Sequence, residues 1–389
     1  MSTLQDAART GEEIRFNRPS LEGNELAYIQ AAVERGHTSA SGPYAAQAAG
    51  LLREALGAQD VLLTTSCTDA LEMTAMLLDL KEGDTVVVPS FTFVSGALAY
   101  ARQGARILFC DIEPTTLGLD PERLDGLLDD SVRAVVPVHY AGVGCELAGI
   151  QEVLAAHPGI DLIEDNAHGL FGAFGARALG SFGRFATLSF HETKNFLCGE
   201  GGALIVNQSS DVERAHVLFD KGTNRRAFLL GSADKYSWQD IGSSFGLAEV
   251  LAAYLYAQLE QRELILKKRQ VVFDRYVRLL EPDAGALGYR LPIVPRDRVQ
   301  AYHMFYVLLE DRASRDQVLA RMRSCGIQPT FHYVPLHSSP GGRRFAARQV
   351  ECPVTDDISG RLLRLPFHND LSQEDAERVT AAFLTALTT

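Results

Sequence analysis

The sequence predicts an α/β fold, with a mostly parallel sheet in a large domain and a smaller C-terminal α+β domain. Short apolar runs alternate with helical patterns from about residue 61 onward, which is typical of strands joined by crossover helices. These runs are nearly continuous in β-branched and aliphatic residues, as in strands buried on both faces. The chain has 389 residues, which is too long for one small core.

The large domain is predicted to span residues 14–259. Its first five strands are expected at VLLTTS, TVVVPS, RILFCDI, RAVVPVHYAG and DLIED, which begin at residues 61, 85, 106, 133 and 161. Helical patterns follow the first four of these strands. After residue 165, FATLSFHE and GGALIVN are strand-like runs with only a loop between them. That arrangement predicts a mixed sheet at this end of the domain.

The small domain is predicted to span residues 260–389. A helical pattern over 247–280 is long enough to connect the two domains, and the Pro- and Gly-rich stretch over 282–295 predicts irregular structure. MFYVLLE and QPTFHYVP are predicted strands on either side of a helix that begins at residue 314. A terminal helix is expected after Ser372, a favourable N-cap. The first dozen residues are expected to be mobile.

Charge and composition exclude several classes of protein. A net charge of −12 argues against binding to nucleic acid or to an anionic membrane surface. The sequence has no apolar run long enough to span a membrane and no secretory signal, so we expect a cytoplasmic protein. The six cysteines are scattered without metal-ligand spacing, so reduced thiols and no metal site are predicted.

The segment TTSCTDALEM, residues 64–73, combines a strand end with a helix start. The free N–H groups and the positive dipole of a helix N-terminus then face the carboxyl edge of the sheet. This arrangement favours binding of an anion such as phosphate. The same Ser and Thr residues also suit an ordinary N-cap, and the segment alone does not decide between the two interpretations.

Asp165 and Lys194 are the other two candidates for chemistry. Asp165 ends the apolar strand DLIED, where its carboxylate can cap a helix or pair with a cation such as a protonated ring nitrogen. Lys194 follows the strand FATLSF in a polar turn. A partly desolvated lysine has a lowered pKa and is a competent nucleophile for Schiff-base formation, although most lysines on loops are solvated surface residues. The order of anion site, acid and lysine, each at a strand end, is more specific than any one of them.

Six segments in order, TTSCTDALEM, PSFTFVSGA, PVHYAG, EDNAHG, SFHETKN and GEGGAL, resemble the DegT/DnrJ/EryC1/StrS sugar aminotransferases. The resemblance runs from Phe16 to Ser372. It implies a fold-type I enzyme, similar to aspartate aminotransferase, that uses pyridoxal 5′-phosphate (PLP) and acts on nucleotide-linked keto sugars. The segments SFHETKN, KGTNR, DKYSWQDIGSS and FHYVPLH look most like the branch that aminates C4 of TDP-4-keto-6-deoxyglucose.

The resemblance implies roles for residues around the cofactor ring. Lys194 would form the Schiff base and carry the proton in catalysis. Asp165 would pair with the pyridine nitrogen, and His168 would lie near the ring hydroxyl. Phe93 would stack on the ring face, although an isolated Phe after a strand is also typical of a core aromatic.

The resemblance also implies a phosphate cradle and a dimer. Thr68 and Asp69 would bind the phosphate through their backbone N–H groups, and Ser189 through its hydroxyl. Asn224, in KGTNR, matches an Asn that the neighbouring subunit contributes in the family. The resemblance therefore implies a homodimer with the active site at its interface.

His332 and His337, in FHYVPLH, would lie near the mouth of the site and contact the sugar or diphosphate, although strand histidines bonded to backbone are an alternative. Glutamate is the amino donor that the resemblance implies. The configuration of the product at C4, galacto or gluco, stays open.

Four other functions share parts of this pattern. The same machinery could aminate C3 of a nucleotide-linked keto sugar. A non-catalytic regulator would need a broken cofactor site, yet Asp165, Ser189 and Lys194 are all present, and a dehydratase relative would have His in place of Lys194. A nicotinamide dehydrogenase is disfavoured because no GxGxxG follows the first strand.

Overall fold

The structure is a computed structural model that describes residues 13–388, so the expectation of a mobile N-terminus lies outside the described residues. The strands are β1 (Asp60–Thr64), β2 (Thr85–Pro89), β3 (Arg106–Cys110), β4 (Val132–Val135), β5 (Asp161–Asp165), β6 (Ala173–Phe174), β7 (Arg177–Ala178), β8 (Phe185–Ser189), β9 (Gly202–Val206), β10 (Arg298–Val299), β11 (Tyr306–Leu308) and β12 (Leu362–Arg364). The helices are α1 (Glu25–Glu34), α2 (Pro43–Leu56), α3 (Cys67–Leu77), α4 (Ser95–Arg102), α5 (Pro121–Leu124), α6 (Leu147–Ala155), α7 (Val212–Phe219), α8 (Arg225–Leu229), α9 (Glu249–Glu260), α10 (Arg262–Leu287), α11 (Arg312–Ser324), α12 (Pro340–Phe345), α13 (Pro353–Arg361) and α14 (Gln373–Thr388).

A seven-stranded sheet in the order β1-β9-β8-β5-β4-β2-β3 forms the centre of the larger part. β9 is antiparallel to both of its neighbours, and the remaining pairs are parallel. The other six strands therefore run in one direction. The predicted α/β class and the mixed sheet at the β8–β9 end are confirmed.

Helices cover both faces of this sheet, as the buried apolar strands require. One core packs α3, α4 and α7 against it, and a second packs α2 and α9 on the opposite face. A third core joins α10, α11 and α14 to the two-stranded sheet of β11 and β12. The division after residue 259 remains a prediction, and the break between α9 and α10 falls beside it, at Gln261.

Two local predictions for the C-terminal part are wrong. Helix α10 continues through Pro282 to Leu287, because Ala284 and Leu287 pack on the third core and this packing outweighs the missing N–H of the proline. The stretch 328–335 forms no named strand and makes only an isolated bridge from Thr330 to Arg364. Its two prolines, Pro329 and Pro335, remove ladder donors.

Membrane spans, metal clusters and cysteines can be checked in the described part of the chain. None of its helices combines the length and apolarity that a bilayer crossing requires. Within residues 13–388, no cluster of three or more His, Cys, Asp or Glu side chains is suited to hold a metal ion. All six cysteines are free thiols.

Candidate active site

The carboxyl edge of the sheet collects the residues that the sequence singles out. Asp165 ends β5, and Ser189 ends β8. Helix α3 begins at Cys67, just beyond the end of β1, and Lys194 lies in the loop that joins β8 to β9. Because six strands run in one direction, these ends share one edge, which is where ligands bind in open α/β sheets.

Lys194 is held in a tightly bonded turn and is only partly exposed. Its backbone N–H donates to the carbonyl of His191 at 2.9 Å, and the loop closes where the N–H of Cys198 donates to Phe190 at 2.9 Å. Burial lowers the pKa of the Lys194 amine to about 8, while the charges of Cys67 and Asp165 oppose that shift. A larger neutral fraction at neutral pH makes this amine more nucleophilic than a surface lysine.

Asp165 faces the same space and is buried. Burial raises the pKa of its carboxyl. The hydrogen bond from the Ala167 N–H and the charges of Lys194 and His139 lower that pKa. Oδ1 accepts the N–H of Ala167 at 3.1 Å, and Oδ2 has no hydrogen bond within residues 13–388. One carboxylate oxygen is therefore available to a cationic partner.

Glu164, one residue before Asp165, is a structural residue that the sequence did not identify. Its carboxylate accepts the N–H groups of Gly180, Phe182 and Gly183 at 2.6–2.9 Å, and it contacts Nε2 of His139 at 2.9 Å. Both side chains of the Glu164–His139 pair are fully buried. The pair fixes the backbone that carries Asp165.

The N-terminus of α3 supplies backbone donors at this edge. Ser66 caps the helix, since its hydroxyl accepts the N–H of Asp69 at 3.1 Å. The N–H groups of Cys67 and Thr68 make no hydrogen bond within the described residues. Of the two predicted backbone donors, Thr68 is therefore available, whereas Asp69 is occupied by the cap, and Cys67 is a donor that the sequence did not single out.

Ser189 and Gly202 complete this corner of the site. The Ser189 hydroxyl has no hydrogen-bond partner in the part of the chain that is described. Gly202, paired opposite Ser189 in the sheet, passes so close to α3 that a Cβ would overlap the backbone of Ser66 and Cys67. Glycine is required there because only a missing side chain allows that approach.

His168 lies in a stack of rings beside Lys194. Its ring stacks on that of His303 at a centroid distance of 4.2 Å, and its buried Nδ1 has no hydrogen-bond partner in the structure. His303 in turn is fixed by Asn195, whose Oδ1 lies 2.9 Å from its Nδ1. Burial holds the pKa of His168 well below its usual value, so this imidazole is neutral.

Phe93 is 61% exposed, so the interpretation of a core aromatic is wrong. It follows β2 and directly precedes α4, whose N-terminal Ser95 hydroxyl lies 2.8 Å from that of Thr68. The exposed ring is therefore free to contact a bound molecule.

His332 and His337 have different surroundings. His332 accepts a hydrogen bond from Arg364 at Nε2, and its Nδ1 lies 3.2 Å from the hydroxyl of Tyr140. Burial lowers the pKa of His332, and the positive charges of Arg364 and Lys194 act in the same direction. His337 instead contacts the Ser90 hydroxyl at 2.7 Å, beyond the end of β2. His332 thus shares its surroundings with Lys194, whereas His337 fixes a loop.

Asn224 lies outside this cluster, within its own chain. Its side-chain amide donates to the carbonyl of Lys235 at 2.9 Å and accepts the N–H of Ser237 at 2.8 Å. These bonds shape the 224–241 loop, which exposes large apolar side chains at Phe228, Leu229, Leu230, Tyr236, Trp238 and Ile241.

The residues at the sheet edge fit pyridoxal phosphate. Unpaired donors at Cys67, Thr68 and Ser189 suit an anionic phosphate, and the free oxygen of Asp165 suits a protonated ring nitrogen. The unpartnered Nδ1 of His168 is a buried polar atom that a ring hydroxyl would satisfy. The amine of Lys194 is the group that can bond an aldehyde.

Arg364, Tyr140 and His303 are the residues of this cluster that the sequence did not indicate. Arg364 carried a detectable signal, because it interrupts the apolar run LLRLPF and arginine is rarely buried without a partner. Tyr140 and His303 gave none, since aromatic residues next to strands are most often core.

The model of the DegT/DnrJ/EryC1/StrS aminotransferase family matches residues 19–384. Among curated proteins, the chain is 26% identical over 375 residues to the spore coat polysaccharide biosynthesis protein SpsC of Bacillus subtilis (strain 168), covering 94% of this chain and 95% of that protein.

Two solved structures are similar over nearly the full length. The aminotransferase TlmJ from Streptoalloteichus hindustanus has a TM-score of 0.88 and 28% identity, covering 97% of this chain and 99% of that one. DesV of S. venezuelae has a TM-score of 0.87 and 26% identity, with the same coverage.

Proposed function

The chain belongs to the DegT/DnrJ/EryC1/StrS aminotransferase family, and from that premise we propose that it transfers an amino group from glutamate to C4 of TDP-4-keto-6-deoxy-D-glucose. The product is a TDP-4-amino-4,6-dideoxyhexose. The enzyme is a PLP-dependent sugar aminotransferase. The donor, the nucleotide and the aminated carbon are what the proposal adds.

The observation that supports the proposed catalytic roles is the position of Lys194 and Asp165 at one sheet edge, each at or just after a strand end. Asp165 raises the pKa of Lys194 and Lys194 lowers that of Asp165, as expected for two groups that face the same space. A regulator that only kept the fold would have no need for a partly buried lysine near a buried acid.

The bound cofactor stores the amino group between the two half-reactions and withdraws electrons from the substrate carbon. Nζ of Lys194 would hold the cofactor and, once the substrate amine displaces it, would remove the proton from Cα of glutamate in one half-reaction and deliver a proton to C4 of the sugar in the other. With its pKa lowered to about 8, this amine can both accept and donate a proton near neutral pH. Asp165 keeps the ring nitrogen protonated, and the N–H of Thr68 and the Ser189 hydroxyl bind the phosphate.

The assignment to a C4 keto sugar is supported by the segments SFHETKN, KGTNR, DKYSWQDIGSS and FHYVPLH. The surroundings of Lys194 are consistent with a sugar, because the partly exposed rings of His332 and Tyr333, stacked on each other at a centroid distance of 3.9 Å, offer ring faces. His332 is therefore the histidine of FHYVPLH that contacts substrate, and His337 orients this segment through Ser90.

The proposal includes a cytoplasmic homodimer with active sites at its interface. The 224–241 loop supports it, since six large apolar side chains are exposed there and Trp238 is 81% exposed. A second copy that covers this loop would bring Asn224 to the phosphate of the neighbouring site.

A panel of TDP- and UDP-linked keto sugars offered with glutamate tests the proposal. We expect transfer to the TDP-linked 4-keto sugar, with NMR of the product giving the aminated carbon and the C4 configuration. An amine at C3 would overturn the C4 assignment, and a preference for UDP would overturn the nucleotide assignment.

The role of Lys194 is tested with the same assay. The wild-type protein should show a visible absorbance band, and borohydride should abolish this band by fixing the cofactor permanently on Lys194. Lys194→Ala should fold but lose at least about a thousandfold in turnover, and Lys81→Ala, at an exposed lysine, is the matched control. Undiminished turnover in Lys194→Ala would refute the role.

A further inference from the structure

Arg364 differs from the other buried arginines of residues 13–388. Arg298 pairs with Glu146 and Asp297, and Arg315 pairs with Asp316. Arg269 donates to the carbonyls of Tyr302 and His303 and to Asn369 at 2.7–2.9 Å, so carbonyl and amide oxygens satisfy it. Arg364 is 7% exposed and has no carboxylate within ion-pair distance among the described residues, and its Nε has no hydrogen-bond partner.

Such an arrangement is costly unless a ligand compensates it. A buried charge without a counter-ion loses its hydration with nothing in return. Burial accordingly lowers the pKa of Arg364, and the nearby Tyr140 and Tyr333 act against that shift. The guanidinium lies over the ring of Phe16 at 4.5 Å, so an aromatic ring rather than an acid covers one of its faces.

His332 fixes the orientation of the guanidinium. An N–H of Arg364 donates to Nε2 of His332, which must therefore be unprotonated, and the remaining ring proton on Nδ1 can donate to the Tyr140 hydroxyl at 3.2 Å. The neutral state agrees with the lowered pKa of His332. The histidine thus positions the guanidinium without neutralising its charge.

Arg364 also acts on the catalytic amine. Its positive charge lowers the pKa of Lys194, and it lowers the pKa of His168 and His303 as well. The contacts agree, because His332 joins Arg364 to the Tyr140 hydroxyl, and the Tyr140 ring lies 5.8 Å from that of His168. Arg364 therefore borders the volume in which the amine reacts. An anion bound to Arg364 would lie near the carbon that Lys194 deprotonates.

The chemistry of the two substrates indicates which anion this is. A keto sugar is uncharged around its reacting carbon, whereas an amino acid carries a carboxylate on the carbon that holds the amine. A single forked guanidinium matches one planar carboxylate in a bidentate contact. A diphosphate has more charge, and the other arginine near this cluster, Arg269, already donates to carbonyl and amide oxygens.

We propose that Arg364, oriented by His332, binds the α-carboxylate of the amino donor. This inference rests on the proposed function and adds a residue that selects α-amino acids as donors. The same contact holds the carboxylate of the 2-oxo acid product.

Stopped-flow measurement of the two half-reactions tests it in the PLP-loaded enzyme. In Arg364→Met, kcat/KM for the glutamate half-reaction should fall by about a hundredfold, the loss of a charge-assisted pair. The reverse half-reaction, with the purified amino-sugar nucleotide, should stay within about threefold of wild type. Arg364→Lys keeps the charge but not the fork, so we expect a smaller loss of about tenfold.

Calorimetric binding of 2-oxoglutarate gives a readout that needs no turnover, and its Kd should rise by a similar factor in Arg364→Met. Arg348→Met, which removes a surface guanidinium near Asp129, is the matched control and should leave every value unchanged. An unchanged glutamate half-reaction in a folded Arg364→Met protein would overturn the inference. Equal losses in both half-reactions would also overturn it, because they would indicate a diphosphate contact or a general structural role.

These outcomes are separable from failure of the proposed function. If wild-type protein shows no glutamate half-reaction, the proposed donor is wrong. If wild type reacts and the Arg364 variants react equally well, only the carboxylate assignment is wrong.

Discussion

Glu164 and His139 form a fully buried pair, with 2.9 Å between carboxylate Oε2 and imidazole Nε2, immediately behind Asp165. Nδ1 of His139 accepts the N–H of Cys145 at 3.3 Å, so the proton that bridges the pair is the one on Nε2. The backbone just before His139 also bonds to Asp165, because the Asp165 N–H donates to the carbonyl of Pro137 at 3.0 Å. Asp165, the acid proposed to pair with the cofactor ring, is thus positioned by a second acid, Glu164, that lies behind it.

Replacing Glu164 by Gln should destabilise the protein by about 3–5 kcal/mol, because the amide cannot accept four donors. Urea unfolding measures the change through the transition midpoint. Glu152→Gln, which removes an exposed carboxylate on α6, should shift the midpoint little. A Glu164→Gln midpoint equal to that of wild type would contradict this structural role.

The sequence predicted the strand ends well and the long-range partners poorly. Asp165 and Lys194 could be identified because each follows a recognisable buried strand, and the parallel direction of the strands brings such ends together. Arg364 meets Tyr140 and His332 only after the C-terminal part folds back onto the sheet edge, and no local pattern encodes that contact. The continuation of α10 past Pro282 was missed for the same reason, since distant packing decided it.

The amine of Lys194 should titrate with a pKa near 8. Burial disfavours the protonated form, so the reactive neutral amine becomes dominant above pH 8 rather than above the ordinary lysine value near 10.4. In cofactor-free protein, the rate of Lys194 labelling by trinitrobenzenesulfonate should rise through a midpoint near pH 8. Lys194→Ala identifies the signal by removing it.

Asp165→Asn should move that midpoint to lower pH. The Asp165 charge favours the protonated amine and raises the pKa of Lys194. Burial and the charge of Arg364 lower that pKa, so it should fall when the Asp165 charge is removed. Asp120→Asn, at an acid that caps α5, is the matched control and should leave the midpoint unchanged. A midpoint that rises in Asp165→Asn, or does not move, would show that the two groups are not coupled as described.

The bonds of Asn224 predict that it organises the 224–241 loop, in addition to its proposed role at the neighbouring site. Asn224→Ala removes the contacts to Lys235 and Ser237, so hydrogen exchange across residues 235–241 should become faster. The PLP content of the purified protein should fall at the same time if Asn224 reaches the partner's phosphate. Faster exchange with full PLP content would limit Asn224 to shaping the loop.

Trp238 should be a main contact of the proposed dimer. Its indole N–H donates to the carbonyl of Asp240 at 2.6 Å, so the ring is held in place while its faces stay 81% exposed. A preorganised, exposed tryptophan in the same loop as the exposed Leu230 and Tyr236 has the composition of an interface hot spot. Trp238→Ser should weaken the dimer by about a hundredfold in Kd, as sedimentation equilibrium would measure across protein concentrations. Val299→Ser, at an apolar residue 55% exposed on β10, is the control. If wild type is a dimer and Trp238→Ser dimerises equally well, the dimer contact lies on another face. Asn224 would then not reach the neighbouring site.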